Sequence, residues 1–486
     1  MKIFKNKLSF ITACIWASLF FHSCSKIEDF GTINNNPNAT TEPVTSALLT
    51  NVQSSLGNTV WGNGITINGG LYCQYFSETQ YTDQSRYALP VFNLDGYYSG
   101  ALYDLQNIIN YNSDPATAGK ASANGSNANQ IATARILKAY FFWIITDTWG
   151  DITYSQSLKG NGNIPYDAQS SVYNDLLKEL KQAADQFDGG AVFRGDVLFN
   201  GDITKWKKFA NSLRLLISLR LSKVNATLAQ SEFNSALSHS AGVIQNNSDN
   251  ASLVFPGIAY NHPLYQYYNI TQRDDYAVCK TLSDFLNANG DLRVNSFGTS
   301  NVGFPYGLTR DNAVAFANAN TNYARILHAS QRTASSPVNV LSASQIYLAR
   351  AEAAQKGWTT ENVATMYSTG IQRSWEEWGV YTAGAFSSYM SQPAVDLAGS
   401  GIVLSKIQMQ QWIAFYPNWT QGWSNWRRTG VPSLTAAPGT GLPIPRRIPY
   451  GPNDYNFNLT NVQAAASQYT VGGQADSQNG KVWWDN

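Results

Sequence analysis

The stretch QQWIAFYPNWTQGWSNWRRTGVPSL, Gln410 to Leu434, carries Trp412, Trp419, Trp423 and Trp426 and then the adjacent arginines Arg427 and Arg428. Indoles beside guanidinium groups suit two roles. They capture a sugar face or an anion, because a guanidinium donates hydrogen bonds and stacks at once. They also build rigid buried joints, in which the rings seal an interface and the arginine pairs with a carboxylate. The choice decides whether this end of the chain is a binding surface or a frame.

Outward from that stretch, helical periodicity recurs along the chain. In SSVYNDLLKELKQAADQF the apolar residues Val172, Leu176, Leu180, Ala183, Ala184 and Phe187 fall three and four apart and form one stripe, with Ser170 or Ser171 as the cap. NQIATARILKAYFFWIITDTWG has such a stripe through Ile131, Ala134, Leu137 and Phe141 but is apolar on more of its circumference, which predicts a central helix. DITKWKKFANSLRLLISLRLSKV starts from Asp202 or Thr204 as a cap. SASQIYLARAEAAQKGW, ENVATMYSTGIQRSWEEWG and SKIQMQQWIAFYP also read as helices. Short helices in consecutive pairs suggest stacked hairpins of the tetratricopeptide kind, each burying its stripe on its neighbour. Residues 58–100, 245–340 and 430–486, rich in Gly, Asn, Pro and Tyr, read as long functional loops.

The first residues differ from the rest. MKIFKNK carries three lysines, LSFITACIWASLFF is an apolar run shorter than the roughly 20 residues of a membrane span, and HSCSKIEDFG follows. The pattern predicts a lipoprotein signal over residues 1–23 with Cys24 as the acylated residue. SKIEDFGTINNNPNATTEPVTS then suits a tether over 24–45, and a folded body occupies 46–486.

At 43% hydrophobic residues the chain buries a substantial core, yet charged residues make up only 13% while aromatics reach the same share. Loss of residues 1–23 takes Lys2, Lys5 and Lys7 and no acid, lowering the formal charge of +1 by three. No basic face is available for nucleic acid, and a neutral polar ligand fits better. Of the cysteines, Cys73 and Cys279 remain after Cys14 and Cys24, and nothing in the sequence places them within bonding reach.

The end of the chain resembles a known family. The opening stretch, then PIPRRIPYGPNDYNFN, then KVWWDN are similar in order and spacing to the C-terminal pattern of the SusD/RagB family of outer-membrane nutrient-binding lipoproteins. DTWGDITYSQSL, KWKKFANSLRLLISLRLSK, NGDLRVNSF and QIYLARAEAAQKGW each match a family block, so the resemblance covers essentially the whole chain after Cys24. It is closest to the SusD-like branch. The resemblance implies a mainly α fold, with four tetratricopeptide-like hairpins as a scaffold and extensive loop-rich regions laid over it. It implies a lipid-anchored protein on the outer face of the outer membrane, the lid of a SusC-like TonB-dependent transporter. Such proteins bind oligosaccharides, or in some members peptides, and do no chemistry. Because Trp423, Trp426, Arg427 and Arg428 belong to a family-wide pattern while ligands differ between members, the opening stretch reads as frame, with Arg427 or Arg428 pairing with a helix carboxylate such as Glu352.

Candidate chemistry is sparse. Glycoside hydrolysis needs two carboxylates flanking a cleft, whereas Glu376 with Glu377 and Asp274 with Asp275 are adjacent in sequence and point in different directions. That leaves a surface glycoside hydrolase as the weaker alternative. His239, His262 and His328 are scattered without a metal-binding spacing, and the Asn residues of LTNVQSSLGNTVWGNGITINGG lack the carboxylates a calcium site uses, so no metal and no cofactor is expected. The stronger signal is aromatic. LYCQYFSETQYTDQSRY supplies Tyr81 and Arg86, AYNHPLYQYYNITQRDDY supplies Tyr265, Tyr267, Tyr268 and Arg273, and GFPYGLTR supplies Phe304 and Tyr306. Sugar rings lay their CH faces on aromatic planes and need polar partners for their hydroxyls, and these loops hold both. The expectation is one shallow site where the loops converge, with Tyr81, Arg86, Tyr265, Tyr267, Tyr268, Arg273 and Tyr306 as ligand-binding residues.

Overall fold

The computed structural model describes residues 42–61, 65–88 and 92–485. The signal and Cys24 lie outside the described residues, and Thr45–Asn486 forms one compact unit. Its helices include, in chain order, α1 (Thr45–Trp61), α2 (Ile65–Tyr72), α3 (Tyr103–Ser113), α4 (Asn127–Trp149), α5 (Gln169–Gln186), α6 (Ile203–Arg220), α7 (Ala226–Leu237), α8 (Lys280–Ala288), α9 (Arg310–Ala319), α10 (Ala343–Gln355), α11 (Val363–Glu377), α12 (Val403–Phe415) and α13 (Trp419–Thr429), with further helices at Ala383–Met390 and Leu459–Ser467 and shorter turns besides. Strands β1 (Phe76–Glu78), β2 (Ala251–Val254), β3 (Tyr276–Val278) and β4 (Pro337–Leu341) form two small antiparallel sheets, β1 with β3 and β2 with β4.

Among the described residues, four consecutive helix pairs pack on one another: α4 with α5, α6 with α7, α10 with α11, and α12 with α13. Between pairs, α5 packs on α6, α6 on α10 and α10 on α12, so the pairs make one stack. The mainly α scaffold of helical hairpins is therefore present. The stripes explain it: Val172, Leu176, Leu180, Ala183 and Ala184 of α5 are buried, and α4 is buried on nearly all sides from Ala139 to Trp149. Asp202 caps α6 by accepting from the Lys205 N–H at 3.0 Å. The cap expected at Ser170 or Ser171 is not used. Helix α5 starts at Gln169, whose N–H goes to Asp151 Oδ1 at 2.9 Å, so a distant carboxylate replaces the local hydroxyl.

The stretches expected to be loops hold several helices. Residues 65–72, ITINGGLY, fall in the stretch 58–100 expected to be loop, yet form α2. The reason is proximity: a Cβ on Gly69 would stand 2.2 Å from the Trp419 ring, and one on Gly70 2.3 Å from Phe76. Tertiary contact overrides helix propensity there. Helix α1 likewise falls where a calcium loop was weighed, and buries Leu49, Val52, Leu56 and Val60.

The opening stretch is frame. Asn418 caps α13 by accepting from the Gln421 N–H, and Gly430 ends it at φ 71°, the left-handed conformation a helix C-terminus uses. Trp423 donates to the Pro445 carbonyl and Trp426 to the Pro432 carbonyl. The Arg427 guanidinium lies 3.8 Å from the Trp423 ring centroid and 4.7 Å from that of Trp484. Arg428 makes a two-pronged ion pair with Glu352 of α10, at 2.6 and 2.7 Å, both side chains buried. Trp484 near the chain end donates to Asp147 of α4 at 2.9 Å.

Candidate functional site

Two loops far apart in sequence are joined by the β1–β3 pair, which sets Phe76 opposite Val278, Ser77 opposite Ala277 and Glu78 opposite Tyr276. Beyond the strands the pairing continues through one backbone contact and two side-chain contacts. Thr79 donates from its N–H to the Asp275 carbonyl and from its hydroxyl to the Asp274 carbonyl, and Gln80 donates to Asp275 Oδ1 at 2.6 Å. Glu78, buried at the end of β1, accepts from the Ser85 N–H and hydroxyl, both at 2.7 Å, and so pins the loop that carries Tyr81. Burial pushes its carboxyl up to about 7, only partly offset by the Ser85 hydrogen bonds.

On this base Tyr81 projects outward, 53% exposed. Arg310, in the first turn of α9, holds its guanidinium 5.7 Å from the ring centroid. Arg273 is exposed and ion-paired to Asp275 at 2.6 Å. Its pKa is raised first by that Asp275 hydrogen bond and charge, and Tyr81 is near enough to add to the effect. Beside it, Asp274 accepts from Arg325 at 2.6 Å and from the Tyr323 hydroxyl at 2.8 Å, and the Arg325 guanidinium lies 4.5 Å from the Tyr323 centroid. The result is an open shelf with a ring, donors and acceptors at its surface.

The structure sorts the expected residues. Tyr81 and Arg273 stand open, and Tyr265 is half-buried. Tyr267 is 5% exposed, and its hydroxyl donates to Asp275 Oδ2 while accepting the Asp275 N–H, both at 3.0 Å. Tyr268 donates to the Tyr276 carbonyl, accepts from the Ile326 N–H and lies under Arg332, whose guanidinium is 4.1 Å from its centroid. Arg86 spends its Nη1 on the carbonyls of Gly307 and Pro438. Tyr306 turns its hydroxyl inward, where burial pushes its pKa well up. Tyr267, Tyr268 and Arg86 brace the loops, because Asp275 and nearby backbone groups supply partners that a sequence alone does not place, and Tyr306 is turned into the core. Arg310, which ends the GFPYGLTR stretch, is not among the expected residues; that stretch offered Phe304 and Tyr306, and Phe304 is fully buried.

Asp274 and Asp275 are each committed to an arginine, Glu376 pairs with Arg373 at 2.7 Å, and Glu377 accepts from Asn339. Among the described residues no three His, Cys, Asp or Glu side chains gather as a metal site would require, and Cys73 and Cys279 are free and buried. The shelf offers stacking and hydrogen bonding, and its carboxylates are engaged in holding it.

The chain has counterparts among known proteins. A family described as SusD-like, starch-binding associating with outer membrane, matches residues 37–451. A solved chitin-binding protein is 25% identical, with 91% of this chain and 99% of that one covered and a TM-score of 0.76. A SusD homolog from Bacteroides uniformis is 24% identical over 92% of this chain and 100% of its own, with a TM-score of 0.76. A chitin-binding SusD homolog from Flavobacterium johnsoniae is 23% identical over 91% and 98%, with a TM-score of 0.72. No curated protein matches. With the helical stack in place and the family matched over most of its length, the chain belongs to the SusD-like family.

Proposed function

We propose that the protein binds oligosaccharide at the outer membrane and hands it to a SusC-like TonB-dependent transporter, without acting on it chemically. The observation that carries this reading is the exposed Tyr81 ring, backed by Arg310 and flanked by Arg273 and Gln80. A sugar ring stacks its CH face on the phenol while its hydroxyls meet the guanidinium donors of Arg273 and Arg310. The family description and the chitin-binding relatives support carbohydrate over peptide. The engaged carboxylates support binding over glycoside hydrolysis, which uses a free acid and base flanking the bond.

Anchoring is part of the same proposal. Residues 1–23 act as a lipoprotein signal, Cys24 carries the lipid, 24–45 form a tether and 46–486 the binding body. Among the described residues no helix is long and apolar enough to cross a membrane. Mass spectrometry of the purified N-terminus tests the anchor: an unmodified terminus elsewhere than Cys24 refutes it. Calorimetry with starch-derived and chitin-derived oligosaccharides and with peptides tests the ligand, and preference for peptides overturns the carbohydrate reading.

A further inference from the structure

Away from the shelf, and sharing no residue with it, a cavity of about 390 Å³ opens between α1 and the segment leading into α3. That volume lies at the lower end of small-ligand pockets, roughly 300–1,000 Å³. Helix α1 buries its apolar stripe in the core and turns Asn51, Ser55 and Asn58 to the cavity, at spacings of four and three that align them on one face. Asn93 lines the cavity across from them, and Tyr97 contributes part of its half-buried ring, anchored near Phe141 and Trp149 with centroids 6.4 and 6.3 Å away.

Three features distinguish this cavity from a packing gap. The carboxamides retain unused capacity: Asn51 donates to Asp104 but keeps its oxygen, and Asn93 accepts from the Asn453 N–H but keeps its amide hydrogens. The chain beside it, Tyr98–Leu102, is a π turn, a form that recurs at functional sites, with Gly100 at φ −102° and ψ −111° inside it. A Cβ on Gly96 or Gly100 would meet nothing within 4 Å, so the two glycines leave the space open. None of the lining residues is charged.

We infer that this cavity is a second carbohydrate site, taking one or two neutral pyranose units with Tyr97 under a CH face and the Asn51, Asn58 and Asn93 carboxamides on the hydroxyls. Only the choice of sugar as ligand class rests on the proposed function; the pocket and its neutral, bidirectional lining stand without it. Carboxamides both donate and accept, which matches vicinal hydroxyls, and the absence of charge disfavours anions and cations alike.

The test uses chitobiose and maltose as probes on the parent, Gly96→Leu, Asn58→Ala and Tyr81→Ala, by calorimetry and by crystal soaking. Gly96→Leu fills the cavity and should weaken disaccharide binding about tenfold or more, and Asn58→Ala about threefold to tenfold, the loss expected of one hydrogen bond. Tyr81→Ala should leave sugar density in the cavity. If Gly96→Leu fails to fold, Asn58→Ala at an exposed helix position still decides. Sugar density on the shelf alone, with parent-like affinity in Asn58→Ala, overturns the cavity and leaves the proposed function standing. Density and heat at neither place overturn both.

Discussion

The joint around Trp423 and the shelf around Tyr81 are built from the same parts, an aromatic ring, a guanidinium over it and a carboxylate nearby, and they differ in what is left over. At the joint Arg427 is 3.8 Å from the Trp423 centroid, the indole N–H is used by Pro445, and Arg428 and Glu352 exhaust each other's charge. Trp423, Arg427 and Arg428 are all buried, so no face of the joint is open to a ligand. At the shelf Arg310 is 5.7 Å from the Tyr81 centroid, and the ring is half open to solvent. A motif of aromatic and arginine residues therefore says little about binding until the leftover faces and donors are counted.

The sharpest way to break this contrast is to damage the joint. Arg428→Ala leaves Glu352 buried with only Gln411 and the more distant Lys356, at 2.9 and 3.7 Å. Removing one partner of a buried ion pair costs about 3–5 kcal/mol. Thermal unfolding should show a fall of several degrees or more, with residual folded protein still binding ligand. Trp423→Ala should do much the same, since truncating a buried indole costs about 3–5 kcal/mol. Parent-like melting with lost binding in either variant would turn the joint into a site.

The two regions should also respond to pH in opposite directions. Burial alone would raise the Glu352 carboxyl, but the Arg428 charge outweighs it and holds the group at about 2. A depressed carboxylate adds stability above its ordinary value of 4.5, and that stability is lost as pH falls toward 2. Glu78 runs the other way: raised to about 7 by burial, it contributes stability below 4.5 that is lost as pH rises through 7. Glu377 is also raised to about 7 by burial, so the Glu78 share is read from a variant. Unfolding free energy between pH 4 and 8 should decline less in Glu78→Gln than in the parent, by an amount on the order of 1–3 kcal/mol across the window. An unchanged slope would remove Glu78 from the account of the shelf.

Much of the joint was legible and much of the shelf was not, for one physical reason. Helical stripes repeat locally, so Leu176 and Leu180 declare their burial within one segment, and a carboxylate on an apolar helix such as Glu352 must find a cation somewhere. The loops obey distant partners. Tyr267 and Tyr81 look alike in sequence, yet Asp275 recruits the first inward and leaves the second out. Gly69 looks like a turn residue until Trp419, 350 positions on, is seen to fill the space its side chain would need. Asn51, Ser55 and Asn58 share one face of α1, yet the Asn and Gly residues around them read as loop or cation ligands, so that helix face was not expected.

The smallest expected effect probes the shelf itself. Tyr81→Ala removes an exposed ring, so unfolding should be unchanged within about 0.5 kcal/mol, as for surface substitutions in general. Ligand binding should weaken by about 0.5–1.5 kcal/mol, a several-fold change read by calorimetry. Arg310→Lys keeps the charge but loses the planar group above the ring, so it should give part of that loss, whereas charge alone would make it silent. Tyr267→Ala should behave in the opposite sense, costing stability because its hydroxyl holds Asp275. Binding should depend weakly on salt, since Asp274 and Asp275 offset Arg325 and Arg273 at the surface. A steep salt dependence would assign the unpaired Arg310 to an anionic ligand, and parent-like affinity in Tyr81→Ala would leave the shelf as open frame and move recognition to another surface.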